Sequence, residues 1–159
     1  MFAFQFFSRA DKNFVLDEGP WTFDGNILLI KEMTGLEQPS EIVFMLARMW
    51  AKAYDVPALR QTSSFAQFSG SRVGTFVGCN EAKLCGVDRP LNFRVAVDVT
   101  KTLRRGIRIQ VDGKPLWIRF KYVKLLHFCY ACSKLGHVYK GCVLFDESFQ
   151  GLSFSIVIG

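Results

Sequence analysis

Hydrophobic and polar positions alternate most clearly between residues 91 and 122. In "NFRVAVDVT", Phe93, Val95, Val97 and Val99 fall on one face and Arg94, Ala96 and Asp98 on the other. A period of two marks a half-buried strand. "IRIQVDGKPLWIRFKYVKL" repeats the pattern. Ile107, Ile109 and Val111 lead into Asp112-Gly113, and Leu116, Ile118 and Phe120 return opposite Trp117, Arg119 and Lys121. Asp-Gly between alternating runs signals a tight hairpin turn, because both central positions need positive φ. An antiparallel hairpin or meander is predicted. Arg94, Arg108, Arg119 and Lys121 lie on its open face, and Arg104 and Arg105 lie in the connection.

The first half is less regular. "FAFQFF" (2–7) is short and aromatic and reads as a buried strand. "SRADKNFVLDEG" reads as a helix opened by Ser8 and Asp11 and stopped at Gly19-Pro20, with Phe14, Val15 and Trp21 towards a sheet. A turn at Asp24-Gly25-Asn26 and a strand over Ile27–Met33 follow. "EIVFMLARMWAKAYDVP" is two-sided: propensity favours a helix from Ser40, and alternation favours a strand over Arg48–Tyr54, which we prefer. "TSSFAQFSGSRVGTFVG" holds a short helix and a turn. Together these elements predict an α+β protein: a strand–helix–strand unit over 1–78, a basic β-rich segment over 79–125, a small module over 126–143 and a tail over 144–159.

Composition adds two facts. Half of the 159 residues are hydrophobic, enough for a core. Charge is unevenly spread: residues 1–79 carry a net −1, residues 80–142 a net +9, and the remainder a net −2. A concentrated basic segment is the electrostatic footprint of a nucleic-acid partner. No apolar run is long enough to span a membrane. The start has no basic n-region, so no signal peptide is expected and the setting is expected to be intracellular, nuclear or cytoplasmic. There cysteines stay reduced, which favours metal ligation over disulfides.

The chemistry is concentrated in "HFCYACSKLGHVYKGC" (127–142), with the spacing Cys129-x2-Cys132-x4-His137-x4-Cys142. The two-residue gap turns both thiolates towards one centre, and His137 and Cys142 complete a tetrahedron. Thiolate and imidazole are donors that zinc prefers, and four protein donors leave no position for water. One structural zinc ion is therefore expected rather than a catalytic one. A random shuffle of this chain yields the spacing on the order of once in ten thousand, so coincidence is set aside. His127 lies outside the spacing and is expected to be a neighbour. Cys79 and Cys85 are expected to be buried thiols apart from the cluster. No nucleophile elbow, phosphate loop, paired catalytic carboxylates or open metal site is visible, so no enzymatic activity is expected.

Residues 129–142 resemble the retroviral-type CCHC zinc knuckle, with every ligand position matched. The resemblance implies binding of single-stranded RNA or DNA. An aromatic after the first cysteine, here Tyr130, and an apolar residue after the histidine, here Val138 or Tyr139, form a cleft for an unstacked base. Lys134 and Lys140 are the basic pair. Arg104 and Arg105 add phosphate contacts from the basic segment. The family usually has Gly after the second cysteine, where this chain has Ser133. The blocks "FQFFSRADKNFVLDEGPWTFDGNILLIKEM", "MWAKAYDVP", "SRVGTFVG" and "FRVAVDVTKTLRRGIRIQVDGKPLWIRFKYVKLLHFCYAC" resemble the plant domain DUF4283, which precedes a zinc knuckle in LINE-type retrotransposon-like proteins. The resemblance implies a partial RNA-recognition-like α+β unit lacking its first strand and helix. An open sheet edge would then be free for a protein partner or for self-association.

Overall fold

The computed structural model describes residues 2–80, 89–125 and 127–144. The fold is α+β, with the knuckle segment at its C-terminal side.

Helix α1 (Arg9–Asp17) starts where Ser8 stops the extended chain: the Ser8 hydroxyl accepts from the Asp11 N–H at 3.4 Å. Strands β1 (Trp21–Phe23) and β2 (Asn26–Leu28) form a separate hairpin whose turn places Asp24 and Gly25 at φ 49° and 75°. Both lie in the left-handed region that a two-residue hairpin turn requires.

The main sheet is built from β3 (Leu46–Tyr54), β4 (Thr75–Cys79), β5 (Leu91–Asp98), β6 (Gly106–Val111) and β7 (Lys114–Tyr122). Every pairing is antiparallel and the order is β4-β5-β3-β7-β6. It takes strands from both sides of residue 78. Helix α2 (Ser63–Val73) connects β3 to β4, and β5 inserts between them, giving a split β-α-β unit. Thr62 caps α2 by accepting from the Phe65 N–H at 3.2 Å. The helix ends where the chain must pass close to β5: a Cβ at Gly74 would stand 2.3 Å from the Ala96 carbonyl oxygen.

Alternation decides which face is buried. Ala47, Met49, Ala51 and Ala53 of β3 pack with Leu91, Phe93, Val95 and Val97 of β5 and with Ile118 and Phe120 of β7. Phe93 and Phe120 meet edge to face at 5.7 Å. Phe65 and Ala66 of α2 cover this face. On the opposite face Arg94 stacks on Trp50, and Arg119 and Lys121 on Tyr54.

Several expectations need correction. Residues 2–7 form no strand, and Phe2, Phe4 and Phe7 are exposed. Among the described residues no strand lies beside them, so their backbone has no ladder to join. The expected Ile27–Met33 strand shrinks to Asn26–Leu28, because β1 offers only three partners. Phe14 does not face the sheet: it is 58 % exposed and packs on Trp21, whose indole N–H donates to the Val15 carbonyl at 2.7 Å. Arg94 is outward but not open, since Asp17 of α1 accepts from it at 2.8 Å. Cys79 is half-buried on β4, whereas Cys85 and the strand-like tail beyond residue 144 lie outside the described residues.

Candidate metal centre and nucleic-acid interface

The chain leaves β7 and enters a small antiparallel bridge between Phe128 and Leu135. Between them the backbone folds back on itself. Cys129 N–H donates to the Lys134 carbonyl at 2.9 Å, and Ser133 N–H donates to the Cys129 carbonyl at 2.7 Å. Gly136 N–H closes the base by donating to the His127 carbonyl at 2.9 Å. Such a loop demands left-handed backbone, found at Ser133 (φ 59°) and Gly136 (φ 95°). Glycine meets that demand freely, whereas serine carries a steric cost. A single 3-10 turn, Tyr139–Gly141, then delivers Cys142.

This path gathers Cys129, Cys132, His137 and Cys142, with all four donor atoms within 4.8 Å of one another. His137 Nε2 lies 3.4 Å from Cys132 Sγ. Cys129 and Cys142 are buried, and the other two are half-buried. The thiols experience different surroundings. Burial pushes Cys142 up, and the Cys129 and Cys132 sulfurs push it the same way. At Cys129 the opposing pull of burial is outweighed by the backbone N–H groups of Cys132 and Ala131, which leave it lowered. Crowded sulfurs that resist sharing negative charge are what a divalent cation relieves. The residues fit one structural zinc ion: three thiolates and an imidazole converge and close a four-donor shell. His127 is no part of it; its ring packs on the Asp24-Gly25 turn, where a Cβ on Gly25 would meet it at 2.7 Å.

The donor set and its loop define a zinc-knuckle module. A zinc knuckle family model matches residues 97–144, so the similarity covers the knuckle and the β6–β7 hairpin before it. Neither the curated proteins nor the solved structures give a match to the chain.

The expected contact residues line the module's surface. Tyr130, Val138 and Tyr139 are 49 %, 46 % and 41 % exposed. Lys134 and Lys140 are exposed. Arg105 joins Tyr130 directly: its guanidinium lies 5.7 Å from the ring centroid and donates to the Tyr130 carbonyl at 3.5 Å. Arg104 is exposed, and its carbonyl accepts from the Tyr122 hydroxyl, which burial pushes well above its usual range.

Sequence reasoning missed that the knuckle is docked. Phe128, 7 % exposed, belongs to the sheet's core, and Leu135 packs against it. Leu103 N–H donates to the Ser133 carbonyl at 2.7 Å. The Phe128 and Tyr130 rings meet edge to face at 4.9 Å, so the exposed aromatic stands on the buried one. Two apolar residues bracketing a polar metal loop were the available signal.

Proposed function

We propose that the protein is a non-enzymatic binder of single-stranded RNA or DNA that uses the zinc knuckle as its base-contacting module. The observation that carries this reading is Tyr130: half exposed, braced by Phe128, and flanked by the Arg105 guanidinium. An aromatic face accepts an unpaired base, and stacking is worth about 1–3 kcal/mol per base. The neighbouring cations add attraction to phosphate that salt weakens. A closed four-donor shell supports a metal that shapes rather than reacts. Thiolate ligands need a reducing compartment, which supports an intracellular setting, nuclear or cytoplasmic. Among the described residues no helix is long and apolar enough to cross a membrane. The relation to plant retrotransposon-like proteins with DUF4283 rests on the resemblance over residues 2–142.

The test is binding of a labelled single-stranded oligonucleotide alongside zinc stoichiometry. Tyr130→Ala is expected to weaken binding with zinc retained, and Cys132→Ser to lose both. Equal binding by wild type and Cys132→Ser would overturn the reading. A second reading, a zinc-stapled protein-interaction module, draws on β4 and β6, which end the sheet among the described residues and could take an added strand. A flat dependence of oligonucleotide binding on salt would favour it.

A further inference from the structure

Two surfaces outside the metal centre combine cations with aromatic rings. One is the sheet face carrying Trp50 and Tyr54. Its arginines have carboxylate partners: Arg48 and Arg94 share Asp17, and Arg119 pairs with Asp55. The other is a groove of about 470 Å³ between α2 and the β6 edge. It is lined by Phe68 and Arg72 from α2, Arg104, Arg105 and Arg108 from β6 and its lead-in, and Trp117 from β7. Among the described residues none of these four arginines has a carboxylate within 4.0 Å. The four arginines thus line one concavity without a carboxylate partner among the described residues.

The groove also has a platform. Trp117 is 49 % exposed and Phe68 39 % exposed, and the Arg72 guanidinium lies 5.0 Å over the Phe68 ring. Gly106 makes room for the indole, since a Cβ there would stand 2.6 Å from the Trp117 ring. The volume lies in the range that takes a small organic group. Arg105 belongs both to this groove and to the Tyr130 contact. Arg105 thus places the groove next to the knuckle.

We propose that the groove is a second nucleotide subsite, in which the arginines hold phosphates and Trp117 or Phe68 stacks a base of the same single strand that Tyr130 engages. The proposal rests on the reading of Tyr130 as a base-stacking residue, and charge selects the ligand class. Four arginines without a carboxylate partner match a polyanion, and the exposed rings match unpaired bases rather than a closed duplex.

The experiment uses the full-length, zinc-loaded protein and two homo-oligonucleotides of about four and about twelve nucleotides, lengths that bracket one subsite and an extended path. The variants are Tyr130→Ala, Trp117→Ala and the double variant Arg72→Gln/Arg108→Gln. Zinc content and melting temperature serve as folding controls. The double variant is expected to bind the long oligonucleotide at least about tenfold more weakly. Its salt slope should fall by about 1.4, given roughly 0.7 per phosphate contact on a single strand. Trp117→Ala should also lose about tenfold on the long oligonucleotide. Both should bind the short one at the knuckle nearly as wild type does. Long-oligonucleotide affinity and salt slope unchanged in the groove variants, with Tyr130→Ala still weakened, would overturn the groove and leave the knuckle reading standing. The converse result, an effect in the groove variants and none for Tyr130→Ala, would keep the groove as a nucleotide site and remove the knuckle.

Discussion

Removing zinc is expected to destabilise the sheet and not only the knuckle. Without the metal the 129–142 loop has no core of its own to hold it. When it frays it takes three contacts with it. Phe128, buried at 7 % exposure, returns to water at a cost of about 1.5–3 kcal/mol. Leu135 loses a partial burial worth about 1 kcal/mol. The hydrogen bond from Leu103 N–H to the Ser133 carbonyl contributes about 0.5–1.5 kcal/mol. Together the loss is about 3–5.5 kcal/mol, a large part of the ~5–15 kcal/mol that holds a domain folded. At about 2–4 °C per kcal/mol for a chain of this size, the melting temperature should drop by about 6–22 °C. The assay is a thermal melt followed by circular dichroism, with zinc and after chelation under reducing conditions, and with metal content measured in parallel. Phe128→Ala is the control: it should lower the melt of the zinc-loaded protein and shrink the further drop on chelation. An unchanged sheet melt after complete zinc loss would refute the docking argument and make the knuckle an independent appendage.

Two further outcomes follow from local geometry. Ser133 sits at φ 59°, where an L-residue carries about 1 kcal/mol of strain, so Ser133→Gly should tighten zinc binding roughly fivefold in competition with a metal indicator; an equal or weaker affinity contradicts it. Asp55 accepts from Arg119 at 2.6 Å, and chiefly that hydrogen bond holds its carboxyl below the usual carboxylate range. A lowered folded-state value means the pair's contribution is present above the unfolded value of about 4 and is lost as pH falls through the folded one. Asp55→Asn should therefore flatten the loss of urea stability between neutral pH and about pH 3 slightly, as befits an exposed pair; identical acid slopes would show that the pair contributes nothing.

What was legible in the sequence depended on how local its cause was. The period-two pattern placed β5 and the β6–β7 hairpin, because a strand with one buried face writes its burial directly into alternate positions. The alternation of Trp50, Lys52 and Tyr54 before Val56-Pro57 was enough to prefer strand over helix for Arg48–Tyr54, most of β3. The metal ligands were legible because spacing alone governs whether four donors can converge. "FAFQFF" misled because its apolar composition was taken for burial, and burial needs a partner that composition does not name. The groove was hidden for two reasons. Arg72 lies in the segment of net −1, and only the folded sheet brings it to the same groove as Arg104, Arg105 and Arg108. The docking of the knuckle depends on contacts between residues about thirty apart, such as Leu103 with Ser133, that no pattern along the chain reveals.

Docking also changes what the zinc accomplishes. A knuckle on a free tether would present Tyr130 in many orientations, and a bound strand would have to select one of them at an entropic cost. Here Phe128 in the core, the Leu103–Ser133 hydrogen bond and the Arg105–Tyr130 contact hold the ring against one edge of the sheet. The separation between Tyr130 and the arginine groove is then set by packed structure instead of by a linker. A strand that engaged one of them would meet the other at a high effective concentration, because packed contacts rather than a linker set the span. On this account metal loading, domain stability and affinity for a long strand form one linked quantity. Under the proposed strand path, loss of zinc should lower affinity twice, first by unfolding the stacking loop and second by releasing its alignment with the groove. A short oligonucleotide is expected to sense only the first of these effects, and a long one both.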